Sequence, residues 1–164
     1  MGGYEMKKVF MVYVISMVMI LSGCSSNAMN RLYTNNSKIA GEGNSYNLNK
    51  KEQIIEGQEY IGELEFEGMD TLWRFTAEKD TEVEIAYLLS VTKGKAKLVL
   101  ITPDGEVQDI VKNEDKTVKK KLEVIQLLLQ KGENRIKLVA SDKAKIELRI
   151  NVSEGQLEKI GFDK

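Results

Sequence analysis

The chain has 164 residues, with 24 Lys and Arg against 25 Asp and Glu, no His, one Cys, one Pro and one Trp. Such a charge balance gives no reason to expect a nucleic acid partner, which would favour a basic face, and the missing imidazole excludes Ser-His-Asp and Cys-His chemistry. A single Cys excludes an internal disulfide and any Cys/His zinc site, and no cofactor motif stands out; carboxylate-only and Ser-Lys catalysis remain open, with no spacing that points to either.

The N-terminus carries Lys7-Lys8, an apolar run over 9–15 and 17–21, and then Leu21-Ser22-Gly23-Cys24. A positive start, a short apolar core and small residues at its end are the parts of a secretory signal. The core is about 13 residues long, short of the roughly 20 needed to span hydrocarbon. An uncleaved anchor helix, with Cys24 at the membrane edge by chance, is the competing reading. Met6-Lys7-Lys8 is a more usual signal start than Met1-Gly2-Gly3, so translation can begin at either methionine. Leu21-Ser22-Gly23-Cys24 resembles the lipobox of bacterial lipoproteins, in which a Cys is lipidated. That resemblance implies cleavage between Gly23 and Cys24, diacylglyceryl transfer to the Cys24 sulfur and further acylation such as palmitate. Two chains hold a protein stably where one does not. It also implies an extracytoplasmic protein anchored to the cell membrane through Cys24. Ser25-Ser26 follows, so the Asp that signals inner-membrane retention in Gram-negative cells is absent. Abundant Lys, Asn, Glu and Ile with little Pro fit an AT-rich, Gram-positive genome. Loss of residues 1–23 removes Lys7, Lys8 and Glu5, which takes the net charge from −1 to −2.

Residues 24–56 read as the lipidated Cys followed by a polar linker: Ser25-Ser26-Asn27, Asn35-Asn36-Ser37, Gly41-Glu42-Gly43-Asn44-Ser45. Such composition is poor in core-forming residues. As a flexible coil, about 25 residues would reach roughly 25–30 Å. Gly41-x-Gly43 lacks the third glycine and the strand–turn–helix setting of a phosphate loop. Residues 49–56 read as a helical turn or a lead-in.

From Gly57 the pattern alternates, as half-buried strands do. Tyr60, Gly62, Leu64 and Phe66 share one parity, with Glu59, Glu63, Glu65 and Glu67 between and around them. Trp73 and Phe75 follow within 71–76. Val83, Ile85, Tyr87, Leu89 and Val91 form the next series, and Ala96, Leu98 and Leu100 another. Lys79-Asp80 and Lys93-Gly94 read as turns. Thr102-Pro103-Asp104-Gly105 places Pro and Gly where a turn needs them. Over 118–129 the parity changes: Val118, Leu122 and Val124 have one, Ile125, Leu127 and Leu129 the other. That predicts a strand with a bulge or a passage between sheets, with helix as the alternative. If the slip at Gln126 marks an edge bulge, a neighbouring strand lies open to a partner chain. Lys131-Gly132-Glu133-Asn134 and Ser141-Asp142-Lys143 read as hairpin turns around the alternating series Ile136, Leu138, Ala140 and Ala144, Ile146, Leu148, Ile150.

Seven or eight short strands predict an all-β, two-layer β-sandwich over 57–152, immunoglobulin-like or jelly-roll-like, with 153–164 as a tail. The order Leu72-Trp73-Arg74-Phe75-Thr76, then Gly94 to Gly105, then Lys131 to Val139 is similar to small secreted β-sandwich modules. These include bacterial pre-peptidase C-terminal-type domains and Gram-positive envelope lipoproteins. The likeness covers 60–152 and implies an auxiliary module that binds surfaces, glycans or proteins; the acidic calcium loops of some such modules are not evident.

Three surface readings follow. Trp73, Tyr60 and Tyr87, with Phe66 and Phe75, form either a stacking platform for a sugar or part of the core, whose parity they share. Lys112, Lys116, Lys119, Lys120 and Lys121 form either a patch for anionic polymer or headgroup, or a solvated edge that blocks aggregation. Glu59, Glu63, Glu65, Glu67, Glu82 and Glu84 read as a solvated acidic face, since a strand spreads its carboxylates and a metal needs them converged. The expected function is a non-enzymatic, membrane-anchored lipoprotein that binds or scaffolds an envelope protein or wall polymer. The alternatives are a carbohydrate-binding module using exposed aromatics and a carboxylate-only hydrolase, the latter requiring two Asp or Glu about 5–9 Å apart in one pocket. Neither a metal nor nucleic acid is expected.

Overall fold

Along Thr81–Ile101, the third strand of the fold, burial alternates at first, breaks at Thr92 to Lys95, and then runs without interruption from Ala96 to Ile101. That change of texture organises the molecule. The computed structural model describes residues 24–161. Residues 1–23, expected to be a signal peptide, with the start at Met1 or Met6 and Gly23 at the expected cleavage site, lie outside them.

The elements are α1 (Cys24–Tyr33), α2 (Asn36–Ala40), β1 (Ser45–Glu56), β2 (Glu59–Ala77), β3 (Thr81–Ile101), β4 (Val107–Glu114), β5 (Glu123–Leu129), β6 (Gly132–Val152) and β7 (Gln156–Leu157). All pairing is antiparallel, in the order β1-β2-β6-β3-β4, with β5 also on β3 and β7 on β2. The protein is an all-β sandwich, as its alternation predicts.

The layers are made differently from the expected chain of short hairpins. β2, β3 and β6 are each about 20 residues long, and each passes through both layers. They bend together at one line. Gly68 has φ 112° and Gly94 φ 73°, while Asp142 and Lys143 lie in the left-handed region between them on β6. A Cβ on Gly68 would lie 2.1 Å from the Ser45 carbonyl oxygen, and one on Gly94 2.6 Å from that of Ser141. Only glycine fits such a close approach at positive φ. Pairing registers shift at this line, between Phe66 and Gly68 and between Val91 and Lys95. Lys93-Gly94 and Ser141-Asp142-Lys143 are thus in-strand corners and not hairpin turns. Both motifs carry turn chemistry, which a bulge uses as readily as a turn. Thr102 to Gly105 is the expected turn, closed by the Gly105 amide donating to the Thr102 carbonyl at 2.9 Å. The β5–β6 connection at 130–131 is not a hairpin, because the two strands flank β3 on opposite sides.

One layer holds β1, the first half of β2, the second half of β6, the first half of β3, and β5. Its outer face is bare, so burial alternates: Val83 and Ile85 are buried, Glu82 and Glu84 exposed. The other layer holds the remaining halves with β4 and β7, and it is covered. Ala96, Leu98, Leu100, Ile136 and Leu138 face the core between the layers, while Val99, Ile101, Val139 and Met69 pack outward against Leu32, Tyr33 and Ile39 of the helices. Strands buried on both faces lose their alternation.

Those helices, with β1, occupy the stretch expected to be linker. Met29, Leu32 and Tyr33 recur at helical spacing and supply an apolar stripe. Ile39 is fully buried, and Asn35 caps α2 by accepting from the Lys38 amide at 3.1 Å. β1 alternates weakly, because as an edge strand of the bare layer it buries little. The expected tail is a strap. Ile160 is fully buried and the Glu158 amide donates to the Leu72 carbonyl at 2.8 Å. Over 118–129 the strand reading holds from Glu123 onward, and 118–122 links the two layers.

Candidate functional site

The three aromatic residues expected to offer a platform are internal. Trp73 and Tyr60 are 0% exposed and Tyr87 is 5% exposed. Each is placed inward by the strand parity it shares with the aliphatic core, and each spends its polar atom on a fastening. Trp73 Nε1 donates to the Glu154 carbonyl at 2.7 Å, which holds the strap; its indole stacks on Phe75 at 5.9 Å. Tyr60 OH donates to Gln53 Oε1 at 2.7 Å, and the same Gln53 oxygen accepts from the Ile160 amide at 2.8 Å. The Gly161 amide ends the strap on the buried Asp70 carboxylate at 2.7 Å. Tyr87 OH donates to Glu123 Oε2 at 3.1 Å and ties β5 to β3. Burial, then the Glu123 carboxylate, pushes the Tyr87 phenol up to about 12. A sugar-stacking role for Trp73, Tyr60 and Tyr87 is therefore corrected to a core role.

The features that the sequence reading missed lie where the helices meet the covered layer. Lys137 is 0% exposed and its Nζ donates to the carbonyls of Gly41 at 2.7 Å and Gly43 at 3.0 Å. Arg135 Nη2 donates to the Ala40 carbonyl at 2.8 Å. These cations satisfy the carbonyl of the last residue of α2 and those of the segment that follows it, as basic groups at helix C-termini do. Lys97, 5% exposed, reaches Asp109 at 3.0 Å. Burial opposes ionisation of Asp109, but hydrogen bonds from Lys97 and Lys112 outweigh it, and the carboxyl falls below its usual range. The ammonium groups of Lys95 and Lys97 sit 5.1 and 5.4 Å from the Tyr33 ring centre. Burial, then Asp109 and Glu114, pushes the Tyr33 phenol up to about 12. A charged residue at alternate strand positions reads as a wet face; here Arg135 and Lys137 face a helix instead, and only the apolar stripe in 29–33 signalled it.

Cys24 is the first described residue and lies within α1, so the residue expected to carry lipid is separated by four residues from Met29, which packs against the sheet.

The bare face carries a charge mosaic. A shallow groove of about 350 Å³ is lined by Lys50, Glu63, Glu65, Thr92, Lys145 and Glu147. Glu63 and Glu147 stand directly opposite each other across β2 and β6. A carboxylate hydrolase needs two such groups close together in one pocket, but the surroundings here are those of a solvated surface. Glu63 is 60% exposed with Lys50 at 3.2 Å, and Glu147 45% exposed with Arg149 at 3.8 Å. A general acid at neutral pH needs a carboxyl that is shielded from water and cations. Cations thus interleave the expected acidic face, and among the described residues no group of Cys, Asp and Glu could hold a metal ion. The lysine cluster is dispersed: Lys112 pairs with Asp109 at 3.2 Å and Lys119 with Glu123 at 2.8 Å, while Lys120 and Lys121 lie exposed before β5.

The fold and these surfaces define a small β-sandwich domain with a helical cover. No family model and no curated protein matches the chain. Among solved structures it is similar to a family 29 carbohydrate binding module, at 12% identity and TM-score 0.40, covering 68% of this chain and 77% of the module. It is also similar to an exo-beta-1,3-galactanase from Phanerochaete chrysosporium with galactose, at 13% identity and TM-score 0.38. That likeness covers 67% of this chain and 29% of the galactanase. A fold at this distance is shared by proteins of unrelated function.

Proposed function

We propose that this protein is a lipid-anchored, extracytoplasmic lipoprotein of a bacterial membrane, without catalytic activity, whose sandwich binds an envelope protein close to the bilayer. The observation that supports it most directly is the short separation along α1 between Cys24 and Met29, where the helix packs on the sandwich. Lys7-Lys8, the apolar run and Leu21-Ser22-Gly23-Cys24 make Cys24 the lipidated residue. The helix that contains Cys24 packs its second half against Met69, Val99 and Val139. Ten residues of helix span about 15 Å, so the anchor holds the domain against the headgroups and does not let it range on a long tether. Such a domain engages partners at the membrane and not across the thickness of a wall. The glycan-binding alternative loses its platform with Trp73, Tyr60 and Tyr87 in the core.

Growth of the source bacterium with an alkynyl fatty acid tests the anchor. Wild type takes up label and stays in the membrane fraction, while Cys24→Ala loses both. An unlabelled wild-type protein overturns the lipoprotein reading. Cosedimentation with purified sacculi tests the partner: no saturable binding is expected, and binding competed by soluble wall fragments replaces the protein partner with a wall polymer.

A further inference from the structure

β5 is an edge strand, and among the described residues it pairs with β3 alone. Its register runs without a shift from Thr81 opposite Leu129 to Tyr87 opposite Glu123. The parity change in 118–129 is therefore not a bulge at Gln126. Ile125, Leu127 and Leu129 turn toward the core, and the other apolar set turns to solvent. Val124 is 60% and Leu128 69% exposed, with Val118 at 58% and Leu122 at 46%. Of the large hydrophobic residues exposed among the described residues, only Ile54 lies elsewhere. Proteins usually blunt a free edge with lysine, proline or a bulge. Residues 123–129 contain none of these, and the lysines stop at Lys121.

We propose that β5 is a self-association edge, on which a second copy of this chain pairs antiparallel about a two-fold axis through Gln126. The side chains are arranged symmetrically for this. Val124 and Leu128 are equidistant from Gln126, so each meets the other kind across the axis on the bare face, and Gln126 meets its own counterpart. Ile125 meets Leu127 on the core face and extends the core across the join. A self-complementary patch of this kind is what an isologous dimer requires. A slip of one residue turns the apolar set to the wrong face. Charge agrees. Lys119, Lys120 and Lys121 precede β5, with Lys119 paired to Glu123. Glu78, Asp80 and Glu82 surround its far end, against Lys79 and Lys131. Antiparallel pairing brings the basic end of one copy to the acidic end of the other.

Sedimentation equilibrium of the mature chain, residues 24–164 with Cys24→Ser, tests the dimer. That chain includes every core residue described above. A concentration-dependent dimer is expected. Val124→Lys with Leu128→Lys places like charges directly opposite twice and weakens it by about 30-fold or more. Val124→Lys with Leu128→Glu places opposite charges there and restores it to within about threefold of wild type. Both positions are exposed, so circular dichroism of the variants matches wild type. A chain that stays monomeric to about 0.5 mM overturns the proposal. So does a dimer indifferent to the two lysines, or one that the lysine–glutamate pair fails to restore. Gln126→Cys provides an independent readout, since directly opposed Cβ atoms about 4.5–5.5 Å apart come near disulfide reach. Oxidation yields a covalent dimer, and its absence overturns the axis.

Discussion

Replacement of Ile39 by Ala tests whether the polar N-terminal stretch belongs to the fold. Ile39 is 0% exposed and packs among Leu32, Tyr33, Val99, Ile101 and Val139. The change removes three buried carbons, worth about 2.4 kcal/mol at about 0.8 each. A residual cavity adds to this, and measured losses for such truncations run to about 2–5 kcal/mol. α2 has five residues and cannot persist without its contacts. Loss of its one fully buried side chain also loosens the carbonyls of Ala40, Gly41 and Gly43 from Arg135 and Lys137. A loss of about 3 kcal/mol in a domain of this size lowers Tm by roughly 10 °C. Thermal unfolding followed by circular dichroism reads this directly, with Ser37→Ala, at an exposed position of the same helix, as a control within about 0.5 kcal/mol of wild type. A fall in Tm of less than about 3 °C refutes the reasoning. Rapid hydrogen exchange of amides 29–40 in the wild type refutes it equally, because that segment would then be the linker its composition suggests.

Two further expectations concern the core and its charges. Trp73, the only Trp in the chain, has 0% exposure and a bond to the Glu154 carbonyl. Its fluorescence should resist iodide quenching and ignore soluble wall fragments, and Trp73→Ala should cost about 3–5 kcal/mol in denaturant unfolding; ready quenching contradicts the core assignment. Asp109 has a lowered folded pKa, so its stabilisation is complete above the unfolded value near 3.9 and is lost as pH falls through the folded value. Tm should drop below about pH 4, and Asp109→Asn should flatten that limb; an unaltered acid limb contradicts the role given to Lys97 and Lys112. Tyr33 and Tyr87 have raised folded values, so their neutral forms stabilise fully below the unfolded value near 10, and that contribution is lost as pH rises through about 12. Absorbance titration at 295 nm should show two phenols ionising near 12, and ionisation of all tyrosines near 10 contradicts their burial.

The sequence by itself determined the class of the fold and its core. Period-two alternation in Val83 to Val91 and Ala144 to Ile150 marks a strand wherever it occurs, because a pleat sends neighbouring side chains to opposite faces. It also determined the chemistry that is closed to the given chain, since a missing imidazole or second thiol is a matter of composition. Tertiary structure decided what touches each face. Lys93-Gly94 and Ser141-Asp142-Lys143 carry residues that suit a hairpin turn and a bulged corner equally, and only pairing with neighbouring strands selects the corner. Arg135 and Lys137 look solvated until the end of α2 and the segment after it supply their carbonyls. Val124 and Leu128 look buried until the outer face of β5's layer proves bare. Local spacing records the direction in which a side chain points; whether water, a helix or a second strand waits there depends on residues distant in the chain.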